Sequence, residues 1–320
     1  MIDLMAKRNY FFLISLVLII AGIAGYFING IQLDIQFQGG TIIRVQMNDD
    51  KFDTAPIESA LRSALNKNIT AQKLKRYNPQ DADKQMDMLM LKVSSEDTLS
   101  DIEFAKVMEI LRADFGVKTD AQMDMQSVRP FIGREMMANG IKAAVIASLL
   151  ILAYVWWRFS VMSGLPAAIT AIAALLHDAA VMFSVYILFK IPVNELFVAA
   201  ILTILGYSIN DTIIVYDRVR ENSSLLRKSQ SFEIMNRSIL QTLSRSINTL
   251  VTTLVCIITV YIFAYVNNIQ SLKDFCFPLT VGLISGGYSS IFIAGPLWAM
   301  WRNSQVQKRL PSKAKAANVR

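Results

Sequence analysis

The sequence predicts an α-helical polytopic membrane protein with six transmembrane helices and one α+β domain inserted after the first of them. Composition is the first reason, because 53% of the 320 residues are hydrophobic and only 18% are charged, whereas soluble domains average about 45–50% and ~25%. The second reason is that 17 of the 25 acidic residues fall between positions 34 and 135, while long apolar runs fill most of the rest. These proportions exclude a disordered chain, and two cysteines inside apolar runs exclude a disulfide scaffold.

Six apolar runs approach or exceed the ~20 residues that a helix needs to cross a bilayer. The second run is short, but Lys142 and Arg158 flank it and can extend their charged ends to the interfaces. The first run is uncharged and longer than the apolar region of a signal peptide, usually ~7–15 residues, so we expect an anchor rather than a cleaved leader. The predicted spans are residues 9–33, 143–157, 159–189, 196–216, 246–272 and 275–301.

The stretch between the first two spans has the pattern of a ferredoxin-like domain. It contains no His, no Cys and no Gly-rich phosphate loop, so a binding or packing role is the better interpretation than a metal, thiol or nucleotide site. Gly116 is positioned to end the second helix of this domain. The order β-α-β-β-α-β comes from strands at 41–47, 69–76, 86–93 and 120–128 and helices at 54–67 and 97–115.

The distribution of basic residues predicts the orientation in the membrane. Short loops rich in Lys and Arg stay in the cytoplasm, and such residues cluster near the N-terminus, between spans four and five, and after span six. Both termini should therefore be cytoplasmic, and the basic charge reflects topology and attraction to lipid rather than nucleic-acid binding. The predicted segments are a cytoplasmic N-terminus with the first span (1–33), the extracytoplasmic domain (34–138), a bundle of five spans (139–302) and a basic cytoplasmic tail (303–320).

Ionisable residues inside apolar spans are costly and are candidates for function. Asp211 lies in span four, and His177 and Asp178 lie together near the middle of span three. Span five carries Arg245 at its cytoplasmic end, at a depth where it could pair with Asp211. The polar residues expected to support these groups are Tyr207, Asn210 and Thr212 in span four and Thr249 and Thr252 in span five.

Two interpretations of the predicted Asp211–Arg245 pair remain open at the level of the sequence. A proton arriving at Asp211 would break the pair and oblige Arg245 to move or become solvated again, which would convert proton flow into helix motion. Alternatively, the pair and the nearby hydroxyls simply hold helices together. His177 and Asp178 carry the same two alternatives, a functional role or a satisfied interhelical hydrogen bond.

The run at residues 202–222 in span four is LTILGYSINDTIIVYDRVREN. This run closely resembles the signature of the SecF family, the smaller partners in the SecD–SecF complexes of bacterial protein export. Family-like motifs also include Phe37, Gly39 and Gly40 after span one and Pro130 and Gly133 before span two. Further matching runs are WRF at 157–159, ALLHD at 174–178 and RSINTLVTT at 245–253.

The resemblance implies an RND-like half-transporter that pairs with SecD in the bacterial inner membrane. It further implies use of the proton motive force to help an unfolded preprotein leave the SecYEG channel, near membrane factors of the YajC and YidC type. Asp211 would be the proton-responsive carboxylate and Arg245 its partner. The chain departs from the family at Gln36, where Asp is usual, and at Arg129, where Gly is usual.

Other classes of function are weaker. The alternatives are a passive scaffold that stabilises SecD and the translocon, and an RND-type exporter of lipids or small molecules, although six spans and one small domain are half of the usual set. No nucleophile–base pair, metal spacing or nucleotide loop points to an enzyme. We expect no cofactor and no metal centre, with protons as the coupling ion and Na⁺ as the alternative for a carboxylate beside hydroxyls.

Overall fold

A computed structural model of the chain describes residues 3–48, 52–78, 81–94, 99–117, 123–128, 130–160, 164–226, 230–267 and 269–309. Most of the predicted basic tail, residues 310–320, lies outside these ranges. The helices are α1 (Arg8–Asn29), α2 (Ile35–Gln38), α3 (Thr54–Leu65), α4 (Asp101–Asp114), α5 (Pro130–Arg158), α6 (Gly164–Leu188), α7 (Glu195–Leu225), α8 (Ser231–Val266), α9 (Gln270–Ser289) and α10 (Gly295–Arg309). The strands are β1 (Gly40–Gln46), β2 (Asn68–Asn78), β3 (Asp81–Ser94) and β4 (Met123–Val128).

Six helical segments in the described part of the chain are long and apolar enough to cross a membrane, which confirms the predicted number of spans. Five of them belong to α1, α5, α6, α7 and α8. The sixth runs through α9, a π-helical turn at Ser290–Ala294, and α10. Of these segments, α6 and the sixth span are the most buried, while α1, α5 and α8 are the least buried and expose many apolar side chains.

The region between spans four and five is more helical than the predicted loop at 217–245. The helix α7 continues to Leu225, and α8 already begins at Ser231. These extensions pack on each other, because the Asn222 side-chain amide donates to the Ser238 hydroxyl and to the Gln241 carbonyl, both at 2.8 Å. Hydropathy marks where a helix leaves the membrane, but these helices continue beyond it because polar contacts between them replace contacts with lipid.

The α+β domain has the predicted ferredoxin-like order. Its four strands form an antiparallel sheet in the order β2-β3-β1-β4. Alternate residues of β1, including Ile43 and Val45, form a core with Ile57 of α3 and Leu111 of α4, so the two helices cover one face. Gly116 has a φ of 64°, which is a left-handed conformation that suits glycine just after a helix.

A short joint connects the α+β domain to the helical bundle. The backbone N–H of Asp34 donates to the carbonyl of Val193 at 2.9 Å, and that of Val193 donates to the carbonyl of Gln32 at 2.8 Å. The Asp34 carboxylate also pairs with the Lys92 ammonium of β3 at 2.5 Å. Because Val193 lies just before α7, this joint links the sheet directly to the start of the fourth span.

The Phe-x-Gly-Gly motif lies at the same joint. Phe37 in α2 is buried against Met182 and Tyr186 of α6. Gly40 has a φ of 145°, and a Cβ there would stand only 2.3 Å from the carbonyl oxygen of Val93. The motif therefore lets the chain turn from the bundle into β1 at close range to β3.

Candidate functional site

Asp211 is a buried carboxylate with an incomplete set of hydrogen bonds. Its side chain lies in the middle of α7 and is 6% exposed. The Ser246 hydroxyl of α8 donates to Asp211 Oδ1 at 2.6 Å. The other oxygen, Oδ2, has no hydrogen-bond partner among the described residues. An unpaired oxygen on a buried carboxylate is a position where a proton can bind.

The predicted ion pair between Asp211 and Arg245 is not formed in this structure. Among the described residues, no ion pair within 4 Å joins Arg245 to Asp211. The side chain of Arg245 is exposed. On α8 it is Thr242 and Ser246, one turn apart, that are buried toward the bundle, and Arg245 lies about 100° from Ser246 around the helix. Its charge still interacts electrostatically with Asp211.

The other polar residues predicted to support Asp211 do not form one cluster around it. The Thr249 and Thr252 hydroxyls donate to carbonyls of their own helix, at Arg245 and Asn248. Thr212 instead faces the sixth span, since its hydroxyl lies 2.8 Å from the Ser290 hydroxyl. Tyr207 is half-buried and Asn210 is exposed.

A second buried carboxylate, Asp178, is fully enclosed by hydroxyl donors. Ser208 of α7 donates to its Oδ2 at 2.6 Å, and Ser289 of α9 donates to the same oxygen at 2.7 Å. Ser285 of α9 donates to Oδ1 at 2.7 Å, and His177 Nδ1 lies 3.1 Å from Oδ1. The sequence reasoning found both members of the His-Asp pair but missed Ser285, Ser289 and Ser246. The run SGGYSS at 285–290 was the signal that could have identified the first two.

His177 extends this polar cluster toward α1. Its ring lies 6.0 Å from the ring of Tyr288, measured between centroids, and its Nε2 is a buried nitrogen without a hydrogen-bond partner in the described part of the chain. The Tyr288 hydroxyl donates to the carbonyl of Phe11 at 2.6 Å and accepts from Ser15 at 3.3 Å. The cluster therefore connects four spans, which are α1, α6, α7 and the sixth span through α9.

The remaining motif residues lie away from this cluster. Phe37, Gly39 and Gly40 belong to the joint between domain and bundle, and Gly133 is buried near the start of α5, which packs on α2. The side chain of Pro130 lies outside the described part of the structure. Among the described residues, no three His, Cys, Asp or Glu side chains converge to hold a metal ion.

The chain is similar to known proteins of protein export. A family described as protein export membrane protein SecD/SecF, C-terminal, matches residues 106–304. The protein translocase subunit SecF of Alicyclobacillus acidocaldarius is 32% identical over 311 residues, which cover 96% of this chain and 94% of that protein. The SecF subunit of Thermobaculum terrenum is 34% identical over 313 residues, 95% of each chain.

Two solved structures share the fold. One is SecDF of Thermus thermophilus, a translocon-associated membrane protein, with a TM-score of 0.74 and 30% identity over 94% of this chain. The other is SecDF in a super-membrane-facing form, with a TM-score of 0.69 and 29% identity over the whole chain. The chain spans 39% and 40% of the lengths of these two SecDF chains.

Proposed function

The chain belongs to the SecD/SecF family as a SecF-type protein translocase subunit, and on this premise we propose that it couples proton movement across the membrane to protein export through Asp211. The observation that carries the proposal is the combination of burial, one hydroxyl donor and one unpaired oxygen at Asp211. An ionised carboxylate is expensive at this depth in a bilayer. Proton binding at Oδ2 would remove that charge without breaking the Ser246 hydrogen bond.

The consequences of protonation follow from the neighbouring charges and contacts. Loss of the negative charge on Asp211 removes the electrostatic attraction between Asp211 and Arg245. The two helices can then change their relative positions, because α8 contacts Asp211 through one side-chain hydrogen bond rather than through an ion pair. This gives the proton a direct influence on the packing of α7 against α8.

A movement of α7 can reach the α+β domain through the joint. Val193 precedes α7 and is bonded through its backbone to Gln32 and Asp34, while Asp34 holds Lys92 of the sheet. Displacement of α7 would therefore pull on the segment at Gln32 and Asp34 through two backbone hydrogen bonds and, through Asp34, on Lys92 of the sheet. We infer that the domain changes its position with the protonation state of Asp211, and that an unfolded preprotein is the substrate on which this motion acts.

The coupling ion and the topology complete the proposal. A proton fits Asp211 better than Na⁺, because among the described residues only one hydroxyl oxygen reaches the carboxylate, whereas hard cations take several oxygen ligands. The basic residues favour cytoplasmic termini and an extracytoplasmic domain in the bacterial inner membrane. SecD is the expected partner in the membrane, and SecYEG with YajC-type or YidC-type factors would complete the assembly.

Export into inverted membrane vesicles tests the proposal. We expect Asp211→Asn, at matched SecD and SecF levels, to abolish the stimulation of export by a proton gradient while leaving assembly with SecD intact. Asp217→Asn is the matched control, since it makes the same chemical change on the same helix, in a half-buried cluster with Arg158 and Arg220. Undiminished stimulation in Asp211→Asn would contradict the proposal.

Export and assembly measured in the same vesicles distinguish this function from that of a passive scaffold. The exposed apolar faces of α1, α5 and α8 favour extensive packing against partners or lipid. A scaffold predicts that export fails only in variants that also lose assembly with SecD. Lost stimulation in a fully assembled Asp211→Asn complex would therefore exclude the scaffold as the whole function.

A further inference from the structure

Three helices converge on the carboxylate of Asp178. We use the name Asp178 clamp for Asp178 together with the four donors around it, which are His177, Ser208, Ser285 and Ser289. The donors come from α6, α7 and α9, and the three hydroxyl contacts are 2.6–2.7 Å long. Charge-assisted hydrogen bonds of this length are among the strong ones, and their strength increases where water is excluded.

The clamp has no free position for a ligand. A carboxylate offers about four lone-pair sites, and here two donors approach each oxygen of Asp178. The side chain is completely buried. A saturated carboxylate of this kind holds its neighbours in place, whereas a proton or a cation would first have to displace one of the donors.

The clamp reaches Asp211 through α7. Ser208 precedes Asp211 by three residues, which is about one turn and ~4.5 Å along the helix. Thr212, adjacent to Asp211, bonds the Ser290 hydroxyl, and Ser290 in turn donates to the backbone carbonyl of Ser208 at 3.2 Å. Two successive turns of α7 are thus attached to the sixth span, at the point where that span changes to a π-helical turn.

We propose that Asp178 is a positioning residue for Asp211, because the Asp178 clamp fixes α7 against α6 and α9 and so sets the placement of the Asp211 carboxylate relative to α8. The inference rests on the function proposed for Asp211. The titratable or charged groups around the two carboxylates are His177 and Tyr288 near Asp178, and Tyr207 and Arg245 near Asp211. Weakening of the clamp would let α7 shift and change the surroundings in which Asp211 exchanges its proton.

The test measures gradient-stimulated export as a function of pH in vesicles that contain the full assembled complex. We expect Asp178→Asn to reduce the stimulation by about tenfold, in line with the effect of small misplacements on a reacting group. We also expect the pH of half-maximal stimulation to move by about half a unit or more, which a general structural defect would not produce. Ser285→Ala and Ser289→Ala should show smaller changes of the same kind.

A matched control and a double variant make the outcome decisive. Ser184→Ala removes a hydroxyl of α6 whose one hydrogen bond in the described part of the chain goes to the carbonyl of Ala180, so it should behave as the unmodified protein. Asp178→Asn combined with Asp211→Asn should export as well without a gradient as Asp211→Asn alone, because the clamp acts only on the gradient-dependent step. A lower gradient-independent export in the double variant would overturn the inference.

Two further results would also overturn it. One is an Asp178→Asn complex with an unchanged pH profile, and the other is a loss of export that is equal with and without the gradient. If Asp178→Asn does not assemble with SecD, the two serine variants decide the question. The inference is then overturned when Ser285→Ala and Ser289→Ala have the same pH profile of stimulated export as Ser184→Ala. Loss of stimulation in Asp211→Asn but not in the clamp variants would leave the proposed function standing and reject the positioning role alone.

Discussion

Asp178 and Asp211 are the same chemical group in adjacent helices of one bundle, yet their surroundings differ. Among the residues that the structure describes, Asp178 receives four donors from three helices, whereas Asp211 receives one and keeps an unpaired oxygen. Both side chains are buried. Under the proposed function, the comparison teaches that burial alone does not distinguish a proton site from a structural carboxylate. The number of donors then separates a carboxylate that holds helices together from one that keeps an oxygen available for a proton.

The largest difference between the two carboxylates should appear in stability. Asp178→Ala leaves three buried hydroxyls and a ring nitrogen without their acceptor, while Asp211→Ala leaves only the Ser246 hydroxyl. A buried donor without a partner costs about 1–3 kcal/mol. We therefore expect Asp178→Ala to lower the free energy of unfolding by about 3–5 kcal/mol and Asp211→Ala by about 1 kcal/mol. Unfolding of the purified full chain in one detergent measures both, and equal losses would contradict the comparison.

A glycine next to the clamp gives a second, smaller test. A Cβ on Gly286 of α9 would lie 3.1 Å from Ser208 Cβ and 3.4 Å from its hydroxyl, whereas a Cβ on Gly206 would meet nothing within 4 Å. Gly286→Ala should push α9 away from Ser208 and reduce the free energy of unfolding by about 1–3 kcal/mol. Gly206→Ala, two residues before Ser208 on α7, should be neutral or stabilising by about 0.5 kcal/mol. A larger loss in Gly206→Ala would show that the close packing at Ser208 is unimportant.

The number of spans and the order of the domain were predictable because they depend on local composition. Apolar length gave six spans, and alternation with 3–4 spacing gave the β-α-β-β-α-β order. The ends of α7 and α8 were not predictable in the same way. Their extensions are held by contacts such as Asn222 with Ser238, which join residues that hydropathy assigns to a loop.

The site was predictable only in part. Carboxylates stand out in an apolar span, so Asp178 and Asp211 were found, but serines in span six are typical of close helix packing and did not indicate donors. The predicted Asp211–Arg245 pair was wrong as a contact in this structure, because the rotation of α8 brings Ser246 rather than Arg245 to the carboxylate. Such rotations depend on the packing of whole helices, which the spacing of residues within one span does not determine.

A third carboxylate, Glu103 at the start of α4, separates the effect of donors from the effect of burial. It pairs with the Lys67 ammonium at 2.6 Å and accepts from the backbone N–H and hydroxyl of Ser100 at 2.9 and 3.1 Å, so it has three donors. Unlike Asp178, its side chain is 30% exposed. The hydrogen bond from Lys67, followed by that from the Ser100 N–H, lowers the pKa of Glu103 from 4.5 to about 2.

The lowered pKa fixes the sign of a pH dependence. Because the folded pKa lies below the ordinary value, the stabilisation from Glu103 is complete above about pH 4.5 and is lost as the pH falls toward 2. Hydrogen-exchange protection of the α4 amides in the full chain, corrected for intrinsic rates, should decline over that interval. Glu103→Gln should lower the protection at neutral pH by about 1 kcal/mol or less and flatten the decline, since exposed ion pairs and caps contribute little. A loss as large as that of Asp178→Ala would mean that the donors, rather than their burial among three helices, give the Asp178 clamp its strength.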